Sequence, residues 1–171
     1  MYLVDTDVLS MMRRPRSPGG TAEVSARLLS QGFAISAATI LEIEQGARWA
    51  GRRDPEREAE IRRWLDRVLA SFDITVLPVG VQEARLWALM RATPALRGFV
   101  EGSQTGPDRP PRSEGDLIIA ATAIITGRII VTRNHRHMER IGCWFRLPGI
   151  VGPLEISEDR DPRAQLELIF R

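Results

Sequence analysis

Short, uninterrupted apolar runs alternate along this chain with longer stretches in which apolar positions recur every three or four residues. The runs "YLV", "FAISAAT", "ITVLPV" and "RIIVT" predict four strands. Between them, "VLSMMRR" predicts a short helix stopped by Pro15, and "TAEVSARLLSQG" a helix closed by Gly32. "ILEIEQGARWAG" predicts the next. Asp54-Pro55-Glu56 is a start signal for "PEREAEIRRWLDRVLASF", whose Ile61, Trp64, Leu65, Val68, Leu69 and Phe72 share one face. "VQEARLWALMRA" and the nearly all-apolar "DLIIAATAIIT", closed by Gly127, complete the helices, and "GCWFRLPGIVGPLEI" holds one or two further short strands.

Strands that are apolar on both sides and separated by helices predict a three-layer α/β/α fold with a mostly parallel, Rossmann-like sheet. The 171 residues suffice for one domain, expected over 1–156. A Pro-, Gly- and Arg-rich segment around 94–115 is expected to be flexible, and the tail 157–171 to close as a short helix.

Composition changes this picture in three places. Apolar and charged fractions of 43% and 27% exclude a disordered chain. No run is long enough to span a bilayer, no secretory pattern is visible, and a lone Cys143 fits a reducing cytosol. All 24 basic residues are Arg, so a net charge of +2 suffices to give a pI near 9.4. Guanidinium groups suit phosphate partners, although all-Arg usage is equally what a codon bias would produce.

The carboxylates carry the chemistry. Taken singly, Asp7 reads as the N-cap of the first helix, and Glu42 and Asp116 stand three residues after Thr39 and Ser113, the spacing of capping boxes. Asp5, at the end of the first strand, is needed for no cap. Taken together they read differently. In a parallel sheet every strand ends and every helix begins at one edge, the edge at which such sheets bind ligands. Asp5, Glu42 and Asp116 all emerge there, and three converging carboxylates call for a divalent cation. Oxygen donors favour Mg²⁺ or Mn²⁺ over Zn²⁺. His135 and His137 lack a partner set with zinc spacing.

"LVDTDVLS", "ISAATILEIEQGAR" and "DLIIAATAIITGRIIVTRN", in this order and spacing, resemble PIN-domain nucleases, and most closely the VapC-type toxins of bacterial toxin–antitoxin pairs. The resemblance implies a Mg²⁺-dependent, cytoplasmic endoribonuclease with Asp5, Glu42 and Asp116 as its metal-binding and catalytic acids. Asp7, Thr6, Thr132, Asn134 and His137 would support the pocket. It also implies an RNA substrate, a small cognate antitoxin protein and a homodimer. Where the family often carries one more acid, this chain has Asn134 and His137. His137 would then contact a phosphate, act through water, or be a plain surface residue. Arg133, Arg136 and Arg112, with Arg97 and Arg109, are candidates for RNA phosphates, and a solvated loop explains the last three as well.

Two rivals frame this reading. Asp5-x-Asp7 also resembles the nucleophile motif of haloacid-dehalogenase-like phosphatases, but those enzymes use a Lys, and this chain has none. The other is a PIN-like module that binds RNA or a partner without turnover, because the further acid is missing.

Overall fold

The computed structural model describes residues 1–13, 21–100 and 114–156. Among them, five strands form one parallel sheet in the order β3-β2-β1-β4-β5: β1 (Tyr2–Val4), β2 (Phe33–Ser36), β3 (Ile74–Leu77), β4 (Ile129–Val131) and β5 (Ile150–Val151). The helices are α1 (Thr6–Met12), α2 (Thr21–Gln31), α3 (Ala37–Gly51), α4 (Pro55–Leu69), α5 (Val81–Ala92), α6 (Arg97–Val100), α7 (Gly115–Thr126) and α8 (His135–Gly142).

Side chains alternate across a strand, so each central strand feeds two cores. Leu3, Ala34 and Ile130 join Leu117, Ile119, Met90, Met138 and Ile141 on one face. Tyr2, Val4, Phe33, Ile35 and Val131 join Val8, Leu9, Leu28, Ile43 and Leu65 on the other. That is the expected three-layer α/β/α arrangement. It also explains why α7 is apolar nearly all round: residues from Leu117 to Ala123 are buried. Its one buried hydroxyl there, Thr122, donates to the Ile118 carbonyl and meets Ser36 Oγ at 3.1 Å, so no polar group is stranded.

Strand order fixes where the chain can bind something. Going out from β1, the chain steps to β2 and β3 on one side and to β4 and β5 on the other. The order of strand addition therefore reverses between the parallel β1 and β4, and helices leave their two carboxyl ends on opposite faces, opening a crevice. Register pairs Leu3 with Ile130 and Val4 with Val131, which brings Asp5 abreast of Thr132 at that crevice.

Several sequence expectations need correction. Helix α1 begins two residues earlier than its apolar pattern suggests, so its N-cap is Asp5, whose carboxylate accepts the Thr6 N–H, and Asp7 lies in the first turn. Strand β2 is shorter than "FAISAAT", because Ser36 caps α3 through the Ala38 N–H. The Thr39–Glu42 capping box does not form, and the buried Thr39 hydroxyl has no hydrogen-bond partner. Glu42 thus sits in the second turn of α3 rather than at its start. Helix α4 ends at Leu69, leaving Phe72 fully exposed beyond it instead of on the packed face. Residues 94–100, expected as flexible loop, are helical: a 3₁₀ turn over Pro94–Leu96 runs into α6. Helix α8 is announced by no long pattern, since only Met138 and Ile141 of its eight residues are buried. Pro15, Arg109, Arg112, Ser113 and the tail 157–171 lie outside the described residues.

No helix of the described residues is long and apolar enough to cross a membrane.

Candidate active site

Asp5 is the centre of the crevice. The end of β1 places it: its N–H still belongs to the sheet ladder, donating to the Val131 carbonyl at 3.0 Å, while its side chain already caps α1. Each carboxylate oxygen has its own donor, Thr6 N–H to Oδ1 and the Thr132 hydroxyl to Oδ2, both at 2.6 Å. Thr132 is in turn held by the Asn134 N–H, which donates to its Oγ1 at 2.9 Å. One buried hydroxyl therefore ties the ends of β1 and β4 together.

The site is electrostatically strained. Burial pushes the Asp5 carboxyl up to about 7, against the hydrogen bonds from Thr132 and Thr6, and the negative charges of Asp7 and Asp116 push it further in the same direction. Asp7 is raised as well, by burial and by Asp116, although the Arg133 N–H at 3.1 Å and the Arg133 charge hold it down. Its second oxygen, Oδ1, is buried with no hydrogen-bond partner. A buried acceptor left without a donor costs about 1–3 kcal/mol, which a bound cation would remove.

Asp116 stands in the first turn of α7 and faces α8. His137 Nδ1 lies 2.6 Å from its Oδ2, and Asn134 Nδ2 reaches the same oxygen at 3.4 Å. Glu42 arrives from the other side. Its Oε2 accepts the Thr6 hydroxyl, and its carboxylate lies against Gly115, the residue before Asp116. A Cβ at Gly115 would fall 2.2 Å from the Glu42 carboxylate, so glycine is what lets α3 and α7 bring their acids to one place. Replacing Gly115 with alanine is expected to drive Glu42 off Thr6. Because the atoms met are the free end of a flexible side chain, the move costs little stability, helix propensity returns up to about 1 kcal/mol, and the effect is expected in activity. A variant that melts and acts like the wild type would contradict this role.

The residues singled out from the sequence thus divide clearly. Asp5, Asp7 and Asp116 feel each other's charge, and Thr6, Thr132, Asn134 and His137 are bonded to acids of the set. Glu42 joins through Thr6 and Gly115. Arg133 and Arg136 are exposed at the same edge. Arg97 is exposed on α6, and Arg112 and Arg109 fall outside the described residues. Sequence reading missed Gly115, whose only signal is a glycine at a helix start directly before an acid.

In charge and donor type the set fits a hard divalent cation: oxygen donors, a shortage of positive charge at Asp5, and an orphaned buried carboxylate oxygen. Their side chains are turned to Thr6, Thr132, Asn134 and His137, and among the described residues no three acidic, His or Cys side chains stand together as a finished ligand set.

A model of the PIN domain family matches residues 2–142. The chain is 37% identical over 73 residues to Ribonuclease VapC14 of Mycobacterium tuberculosis, a stretch that covers 42% of this chain and 70% of that protein. Its fold is shared with FitAcB from Neisseria gonorrhoeae, at a TM-score of 0.61, 20% identity and coverage of 91% and 99% of the two chains. DNA-bound VapBC from Salmonella typhimurium is similar at a TM-score of 0.58 and 24% identity, covering 89% and 97%.

Proposed function

The chain belongs to the PIN domain family, and on that premise we propose that it is a Mg²⁺- or Mn²⁺-dependent endoribonuclease, the toxin of a toxin–antitoxin pair. The observation that carries this reading is the electrostatic coupling of three acids at the β1–β4 crevice: the charges of Asp7 and Asp116 both bear on Asp5, whose carboxyl burial pushes up to about 7. A charge deficit of this kind suits a site that takes up a cation together with its substrate.

Asp5, Asp116 and Glu42 would hold the ion. When bound, it would polarise a phosphoryl oxygen of RNA and lower the pKa of the attacking water. The remaining work falls to the chain itself. Thr132 and the Thr6 N–H fix both oxygens of Asp5, and the Thr6 hydroxyl orients Glu42. His137 and Asn134 share one oxygen of Asp116, and so fix the orientation of its carboxylate. Asp7 binds the Arg133 N–H and so sets the turn that presents Arg133 and Arg136 to the RNA backbone.

Similar folds include a toxin–antitoxin complex from Klebsiella pneumoniae, which supports a small antitoxin partner for this chain; a homodimer and a place in the cytoplasm belong to the same proposal. Single-stranded RNA suits the site better than duplex, because a cleft at a sheet edge must reach one scissile phosphate.

The test is direct. Purified chain is expected to shorten RNA in the presence of Mg²⁺ or Mn²⁺ and to leave it intact once a chelator is added. RNA that is bound with unchanged affinity yet never cut in either ion would replace the nuclease reading with the binding module.

A further inference from the structure

The contact that holds Asp116 is itself held. His137 is 45% exposed at its side chain, and an imidazole so open to water would turn about its outer torsion and spend much of its time away from Asp116. Three observations show what restrains it. Phe99, buried on α6, meets the His137 ring edge-to-face, with centroids 5.3 Å apart and planes at 75°. Arg140, one turn after His137 on α8, lays its guanidinium over the Phe99 ring at 5.4 Å. The same guanidinium donates through Nη2 to the Ala95 carbonyl and packs on Gly98, where a Cβ would come within 3.2 Å of Nη1.

From these contacts we propose that Phe99 and Arg140 are positioning residues for Asp116, acting through His137. The inference rests on the ribonuclease reading and deepens it. The physical sense lies in the site's composition. His137 can fix an acid only if its ring has one orientation and one tautomer. An ionised carboxylate only accepts hydrogen bonds, so the 2.6 Å contact to Asp116 calls for a proton on Nδ1. The Phe99 ring, set nearly perpendicular to the imidazole, blocks its rotation, and the Arg140 guanidinium over Phe99 holds that ring in place. Glycine at 98 gives the guanidinium room to lie flat. Restraint of a ligand from its second layer commonly changes activity about 10–100-fold.

The test uses the full chain, ¹⁵N-labelled, without RNA or added metal, at about pH 8, where an ordinary imidazole is neutral. In the wild type the His137 ring nitrogens are expected to resonate far apart, as one tautomer protonated at Nδ1. Arg140→Met removes an exposed guanidinium and should leave melting close to the wild type. Phe99→Leu removes the ring and lowers melting somewhat. In both, the two ring resonances should move toward each other, and kcat for RNA should fall about tenfold with KM within about twofold. Phe99→Tyr keeps the ring and should restore kcat. Unshifted resonances in both variants, or shifted resonances with kcat intact, overturn the proposal. A wild-type chain that cuts no RNA removes the ribonuclease reading and the clamp's catalytic role with it, and is told apart because the ring spectra need no substrate.

Discussion

Asp5→Asn is expected to abolish RNA cleavage and, in the same molecule, to make the metal-free chain more stable at neutral and alkaline pH. The loss of activity should exceed the roughly 10–100-fold that removal of an outer-layer partner costs, because Asp5 is the most central of the acids proposed to hold the ion. The gain in stability follows from linkage. The Asp5 carboxyl titrates near 7 in the folded chain and near its ordinary value of about 4 in the unfolded one. A raised folded value means that the folded state binds the proton more tightly than the unfolded state. Folding therefore carries no penalty from Asp5 below about pH 4; the penalty grows from there to about 7 and is complete above it. Its full size is on the order of 4 kcal/mol, from 1.36 kcal/mol per pKa unit over about three units. Asparagine keeps an oxygen for the Thr6 N–H and has no charge to desolvate. Thermal melts in chelator should show the variant ahead of the wild type by several degrees at pH 8, with the gap closing toward pH 5. A variant that melts lower than the wild type at pH 8, or a gap that ignores pH, would show that the Asp5 charge is not what strains the fold.

Divalent cations should reverse that strain in the wild type, and the reversal should depend on pH with a definite sign. An ion in the crevice requires Asp5 ionised, so below about pH 7 its binding must expel a proton. Affinity for Mg²⁺ or Mn²⁺ is expected to fall about tenfold for each pH unit below 7 and to level off above it. The raised Asp7 carboxyl acts in the same direction. Titration calorimetry at pH 5.5, 6.5 and 7.5, in two buffers of different ionisation enthalpy, reads both the affinity and the proton released. An affinity that is flat across this range would remove Asp5 from the ligand set, and the Asp5→Asn variant should keep only the shallower dependence that Asp7 contributes.

Much of the architecture is visible in the pattern of apolar positions, because layers are set by which faces must be buried. The nearly all-apolar "DLIIAATAII" reads as a helix buried over most of its surface, and α7 is buried from Leu117 to Ala123. Gly32 and Gly127, both at φ +65°, end α2 and α7 where a glycine after a periodic run says they should. The pattern fails where burial is slight or where a cap comes from tertiary structure. Helix α8 buries two side chains, too few to read, and α6 stands inside a segment whose Pro and Gly content reads as loop. Asp5 reads as needing no cap because its apolar neighbours belong to a strand. In the folded chain the ladder bond to Val131 and the cap bond to Thr6 are made by the same residue.

The sequence by itself determined the kind of fold, the residue types at the sheet edge and the family they resemble, since these follow from periodicity and from the order of motifs along the chain. Only the tertiary structure decided which contacts the acids make. Thr132 and His137 touch Asp5 and Asp116 across 127 and 21 residues, Glu42 reaches the crevice because a glycine from another helix leaves room, and Phe99 bears on the site through an edge contact. Burial and the proximity of like charges, which lift Asp5 far above an ordinary carboxyl, are properties of packing in three dimensions, and no spacing along a chain encodes them.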